Sequence, residues 1–182
     1  MHTSPIDALT QIFTHVPVWV WVILAVLIVL GTRQSRTQQV TRKRLLVLPL
    51  VWLVFGAWGV QRGFGQSGTA GVAILAWAAG LLASVGALVA TGWPGQARFE
   101  PADGLYRVPG SWLPLGVMLA IFCARFAVGM ALGVQPGLAH NATFAGVASL
   151  SFGLLSGFFL GRSINILRRG PWSQEPRSPM AA

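Results

Sequence analysis

Acidic residues are scarce in this chain. Only four of its 182 residues are Asp or Glu, namely Asp7, Glu100, Asp103 and Glu175, and none falls inside an apolar run. That excludes paired carboxylates acting as general acid and base, and it argues against a carboxylate proton relay within a membrane. Cysteine occurs once, at Cys123. An intrachain disulfide then has no partner and a dithiol relay no second sulfur; the expected role is a small buried hydrophobe. There is no Gly-rich phosphate loop, no Cys/His cluster at metal-ligand spacing and no nucleophile paired with a base. The residues name no reaction, and the reading is a non-enzyme with neither metal nor cofactor.

Charge of either sign is also sparse. Charged residues make up 9% of the chain and apolar ones 54%, against roughly one-quarter charged in an average soluble domain. The apolar positions gather into five runs, at about 12–32, 45–60, 69–90, 112–132 and 143–160. Each is close to the ~20 residues that cross a bilayer core. The run at 45–60 is the shortest and can extend toward Phe64. Backbone amides in lipid need partners within their own segment, so runs rich in Leu, Val, Ala and Gly without ten-residue alternation are helices. The predicted fold class is all-α, an integral membrane bundle of five transmembrane helices forming a single domain over 1–169.

The net charge of +9 follows topology and gives no sign of nucleic-acid binding. Arg33, Arg36, Arg42, Lys43 and Arg44 follow the first run, Arg98 and Arg107 the third, and Arg162, Arg168, Arg169 and Arg177 the fifth. These are eleven of the thirteen basic residues. By the positive-inside rule the N-terminus is extracytoplasmic and the C-terminus cytoplasmic. The first run lacks a basic n-region before it and a small-residue cleavage site after it, so it is expected to stay as an anchor. The basic joints meet anionic lipid heads, at about 1 kcal/mol of attraction per residue.

Local signals refine this outline. Ser4-Pro5-Ile6-Asp7 starts a helix, and Ile6, Leu9 and Phe13 recur at helical spacing, so a short interfacial helix is expected before Pro17. The polar joint 32–44 contains no Gly or Pro, and helices are expected to extend through part of it. Pro101-Ala102-Asp103-Gly104 is a turn between two short alternating segments, predicting a small cytoplasmic hairpin that leans Phe99 and Tyr106 on the bundle. Ser111 and Asn141 stand as N-caps of the fourth and fifth helices. The tail 170–182, with Pro171, Pro176 and Pro179, is expected to be a disordered cytoplasmic segment.

Small residues mark a packing seam. Ser149, Gly153, Gly157 and Gly161 recur every fourth residue, and Ala76, Gly80 and Ser84 form a matching stripe on the third span. The two faces are predicted to meet within the chain; homodimerisation through the fifth helix is the rival.

Arg125 is the residue hardest to explain as packing. It lies roughly 20 Å from the inner end of its helix at ~1.5 Å per residue. A charge at mid-helix costs at least ~2.5 kcal/mol on insertion scales. Either its side chain snorkels to outer phosphates or bonds carbonyls of a broken helix, or it holds an anion, a lipid phosphate or a cofactor carboxylate. His15 and His140, near the starts of the first and fifth spans, are remote candidates as haem or metal ligands beside it.

The stretch Val108-Pro109-Gly110-Ser111-Trp112-Leu113-Pro114-Leu115, continuing through Ile121-Phe122 to Arg125-Phe126, resembles a family of uncharacterised bacterial inner-membrane proteins. The joint at Gly31-Thr32-Arg33, Leu48-Pro49-Leu50 and Gly157-Phe158-Phe159-Leu160-Gly161-Arg162 resemble it too. Where that family favours lysine then tyrosine, this chain has Arg125 and Phe126; the charge is kept and the hydroxyl is absent. The resemblance implies a bacterial inner membrane and carries no mechanism. Three functions follow as expectations: an accessory or scaffold protein with lipid and another membrane protein as partners, a small transporter or lipid/anion binder centred on Arg125, and, remotely, a haem or quinone electron-transfer protein.

Overall fold

The first apolar run is dense in β-branched residues, which favour strands in water, yet it is helical, as an apolar surrounding requires. A computed structural model describes residues 18–94, 97–100 and 104–168. Its first helix, α1, is Val18–Gln34. A short strand β1 (Gln38–Val40) leads to α2 (Arg42–Phe64) and α3 (Ala70–Thr91). Strands β2 (Arg98–Glu100) and β3 (Leu105–Val108) precede α4 (Leu113–Val134), a 3-10 turn at Pro136–His140 and the long α5 (Ala142–Arg168). The described chain is thus mostly helical, and α2, α3, α4 and α5 are each long and apolar enough to cross a membrane. A helix of 22 residues, such as α3, is about 33 Å long, against a hydrocarbon core of ~30 Å. The expected interfacial helix before Pro17 and the tail 170–182 lie outside the described residues.

Capping follows the sequence signals. Thr41 Oγ1 accepts from Arg44 N–H at 3.4 Å at the start of α2, and Asn141 Oδ1 accepts from Phe144 N–H at 3.1 Å at the start of α5. Ser111 Oγ accepts from Leu113 N–H at 3.2 Å beside the first turn of α4. Pro49 is buried inside α2, which runs through it unbroken.

Helix α5 is the hub. Fifty-six per cent of its apolar window is buried, against 11% for α3 and α4. It also runs well past 160, where hydropathy alone ends the span. The extension persists because its polar groups find partners inside the molecule: Asn165 Nδ2 donates to Leu88 O at 2.6 Å and to Trp93 O at 2.8 Å, and the Arg162 guanidinium lies 5.7 Å over the Trp93 ring. Trp93 itself tilts onto Phe158 at 5.5 Å.

The polar joint 32–44 differs from expectation. Instead of extended helices it contributes β1, so the expected hairpin supplies the central strand and one edge of a three-stranded antiparallel sheet ordered β1-β3-β2. Gln38 pairs with Val108 and Val40 with Tyr106; Phe99 pairs with Tyr106 from the other side. A lone hairpin is marginal in water, and a third strand plus docking on the helices supplies what it lacks. Tyr106 and Val108 are buried with Leu45 and Ile166, and Phe99 packs against them. On the opposite face Gln39, Arg107 and Arg98 stand side by side, exposed. The pairing partner of Gln38-Gln39-Val40 is distant in sequence, so no local pattern announces it.

Helices α3 and α5 form the tightest seam. A Cβ at Gly153 would strike the Trp77 carbonyl oxygen and come 2.9 Å from Leu81 N; one at Gly157 would lie 2.6 Å from Leu81 O. A Cβ at Gly161 would be 2.9 Å from Leu88 Cβ, and one at Gly80 3.0 Å from Leu154 N. Ser149 is fully buried on this ridge and Ser84 lies against Gly157, while Ala76 is half-buried. The ridge is therefore covered by α3 of the same chain. At the far end from the sheet, Thr69 Oγ1 donates to Ala139 O at 2.6 Å, tying the α2–α3 turn to the 3-10 turn.

Candidate functional site

Arg125 sits twelve residues into α4 and nine before its end at Val134, or about 18 Å and 13 Å along the axis. Its guanidinium reaches across to α2, where Nη2 donates to the carbonyls of Phe55 at 3.1 Å and Gly56 at 3.4 Å. These belong to an intact helix, not to a broken one. The α2 surface admits the guanidinium because position 59 is glycine: a Cβ there would overlap Nη1, with the guanidinium carbon closest behind it. From α5, the Phe152 ring lies 4.5 Å from the guanidinium carbon. Three helices thus hold one cation, and both of its hydrogen bonds are made by Nη2, leaving the Nε and Nη1 donors without a hydrogen bond among the described residues.

That cation lines an open, largely apolar cleft of about 640 Å³ between α1, α2 and α4. Leu27, Trp52, Trp58, Met118 and Phe122 supply its walls. The volume falls in the ~300–1,000 Å³ range of small-molecule sites. Arg62 also lines it, and that guanidinium lies 5.7 Å over the Trp58 ring one turn beyond Gly59. Among the described residues no acidic one borders the cleft. A second void of about 20 Å³ between Arg125, Phe152 and Ser156 has room for about one water, which needs ~10–15 Å³.

The other candidates fall elsewhere. His140 is exposed on the 3-10 turn and is absent from the cleft lining; His15 lies outside the described residues. Among the described residues no group of three metal-ligating side chains occurs. Cys123, expected to be buried, is exposed on the surface of α4, because the packed side of that helix is taken by Pro114, Met118 and Ile121. Arg125 is the site residue that sequence reasoning found. Gly59, Phe152 and Arg62 were missed. The glycines at 56, 59 and 63 carried the available signal, a small-residue face on α2 where a long side chain can enter.

A second gathering of cations was read only as topology. Arg36, Arg44 and Arg162 come from three separate segments and line one small pocket under the sheet.

Comparison with known proteins follows this geometry. A family model described as a family of unknown function, DUF6622, matches residues 2–175. The chain belongs to that family. The match takes in all the described residues of this DUF6622 chain. It is 43% identical over 42 residues to an uncharacterized protein of Pasteurella multocida (strain Pm70), a match covering 23% of this chain and 33% of that protein. The chain thus spans about a third of that relative's length. No solved structure matches it. The resemblance read at Gly110-Ser111-Trp112-Leu113-Pro114, to an uncharacterised bacterial family, agrees with this membership at that level.

Proposed function

We propose that this chain is a non-enzymatic multi-pass protein of the bacterial inner membrane that holds an acidic amphiphile in the Arg125 cleft. In this reading the N-terminus is extracytoplasmic, the C-terminus cytoplasmic, and the sheet lies on the cytoplasmic side with the other basic joints. The observation that carries it is the pairing of an open, apolar cleft with a guanidinium in its wall whose Nε and Nη1 make no hydrogen bond among the described residues. An acyl or prenyl chain matches the walls. A carboxylate or phosphate head matches Arg125, whose Nε and Nη1 can each give a charge-assisted hydrogen bond. In a low-dielectric interior that contact is far stronger than in water, and it neutralises a charge that otherwise costs at least ~2.5 kcal/mol.

Native mass spectrometry tests this directly. Delipidated wild type should take up oleate in mild detergent with defined stoichiometry, and Arg125→Met should lose that uptake while its melting temperature stays near wild type. Equal uptake of oleate and of its uncharged methyl ester by wild type, or full uptake by Arg125→Met, would refute the reading.

A further inference from the structure

The three-arginine pocket under the sheet is independent of the Arg125 cleft and stands on its own geometry. Its residues converge from the joint after α1 (Arg36), the first turn of α2 (Arg44) and the late part of α5 (Arg162), with Ser163 beside them and Phe159 and Ile166 among its apolar walls. Like charges drawn from three segments into one cavity repel one another, and no acidic residue among the described ones lines the pocket to offset them.

Two further observations sharpen the anomaly. Arg162 is drawn into the molecule: its Nε is buried and has no hydrogen-bond partner. A buried donor left unmade is destabilising, and more so when it is charged. The first turn of α2 is Arg42-Lys43-Arg44, with no acid in it, although the positive end of the helix dipole disfavours cations there. Together these place a helix N-terminus, an orphan guanidinium donor and two more arginines around one void.

We propose that this pocket binds a phosphate group. The void of about 60 Å³ has room for about four waters at ~15 Å³ each, which accommodates one phosphate group. Arg36 and Arg44 close over the phosphate from the sheet side, and Arg162, oriented on Trp93, meets it from beneath. The phosphate belongs either to a phospholipid headgroup or to a soluble phosphate compound; the chemistry at the arginines is the same, and the experiment separates the two.

The test uses the full-length protein purified in an uncharged detergent, with the melting midpoint followed at constant ionic strength. Inorganic phosphate and short-chain phosphatidic acid are the probes, with chloride and short-chain phosphatidylcholine as controls. A rise with both phosphate probes assigns a soluble phosphate source as accessible to the pocket; a rise with phosphatidic acid alone assigns the lipid headgroup. In either case Arg36→Gln and Arg44→Gln should each raise the half-saturating concentration about tenfold, the loss expected for one charge-assisted bond. Arg162→Gln should do so as well, and if it fails to fold the variants at the exposed Arg36 and Arg44 still decide. Probes that shift the midpoint no further than their controls, or Arg36→Gln and Arg44→Gln proteins that respond like wild type, would overturn the proposal. Because Arg125→Met leaves this pocket intact, its phosphate response should match wild type even if the cleft reading fails.

Discussion

Replacing Gly153 by alanine adds one methyl group at the place where α3 and α5 approach most closely. The new Cβ would land on the Trp77 carbonyl oxygen and within 2.9 Å of Leu81 N. Both are backbone atoms of α3, so no rotamer change clears them and the helices must move apart. Overpacking of this kind costs about 1–3 kcal/mol. Alanine also gains about 1 kcal/mol of helix propensity over glycine, which partly hides the loss. Gly86→Ala removes that ambiguity: it lies on α3 with nothing within 4 Å of its added Cβ, so it carries the propensity gain alone. The difference between the two variants isolates the collision, at about 1–3 kcal/mol. For a chain of this size each kcal/mol moves the melting midpoint by about 2–4 °C. Gly153→Ala should therefore melt roughly 2–12 °C below Gly86→Ala in the same detergent. A Gly153→Ala protein that melts with or above Gly86→Ala would refute the seam as described.

Two more outcomes follow from the same contacts. Gly59→Ala should displace the Arg125 guanidinium from the Phe55 and Gly56 carbonyls, because the new Cβ would overlap Nη1. Loss of bonds worth about 1.5–3 kcal/mol is offset by about 1 kcal/mol of propensity, so the fold should persist while oleate occupancy in native mass spectra drops; unchanged occupancy would show that the guanidinium position is irrelevant to binding. Asn165→Leu should leave the Trp93 carbonyl without its donor and lower stability by about 1–3 kcal/mol, read as a fall in melting temperature. A variant as stable as wild type would show that the end of α3 is held by something other than Asn165.

The helices were legible because each run is long and several boundaries carry a cap or a proline that local chemistry explains. Asn141 and Pro114 sit where helix-start preferences put them, whereas Ser111, expected as the N-cap of α4, stands one residue before the cap at Trp112. Two features were not legible, for opposite reasons. Strand β1 depends on a partner some seventy residues away, Gln38 opposite Val108, and nothing in Gln38-Gln39-Val40 itself specifies it. The last turns of α5 carry Arg162, Ser163 and Asn165, which look like the end of a span until α3 and the sheet are in place to receive them. At the site, the charge of Arg125 was visible, but Gly59 was not, because a missing side chain signals only once the helix opposite is known. Cys123 misled because small apolar residues are usually buried, whereas on α4 it points away from the packed side.

The energetics of Arg125 bear on why a cation is kept at that depth. Insertion at mid-helix costs at least ~2.5 kcal/mol. Against it stand a desolvated cation–π contact with Phe152, worth about 2 kcal/mol, and hydrogen bonds to carbonyls of about 1.5–3 kcal/mol. Those carbonyls already serve the ladder of α2, which pulls the second figure toward its lower end. Cost and gain then lie within about 1–2 kcal/mol of each other. A methionine of similar length would forgo both sides of that balance and keep the packing, so stability gives little reason for a guanidinium here. What methionine lacks is an N–H donor in the wall of the cleft. The near-cancellation is also what makes Arg125→Met a clean test, since a large loss of stability in that variant would mean that the clamp itself, and not a ligand, is the reason for the charge.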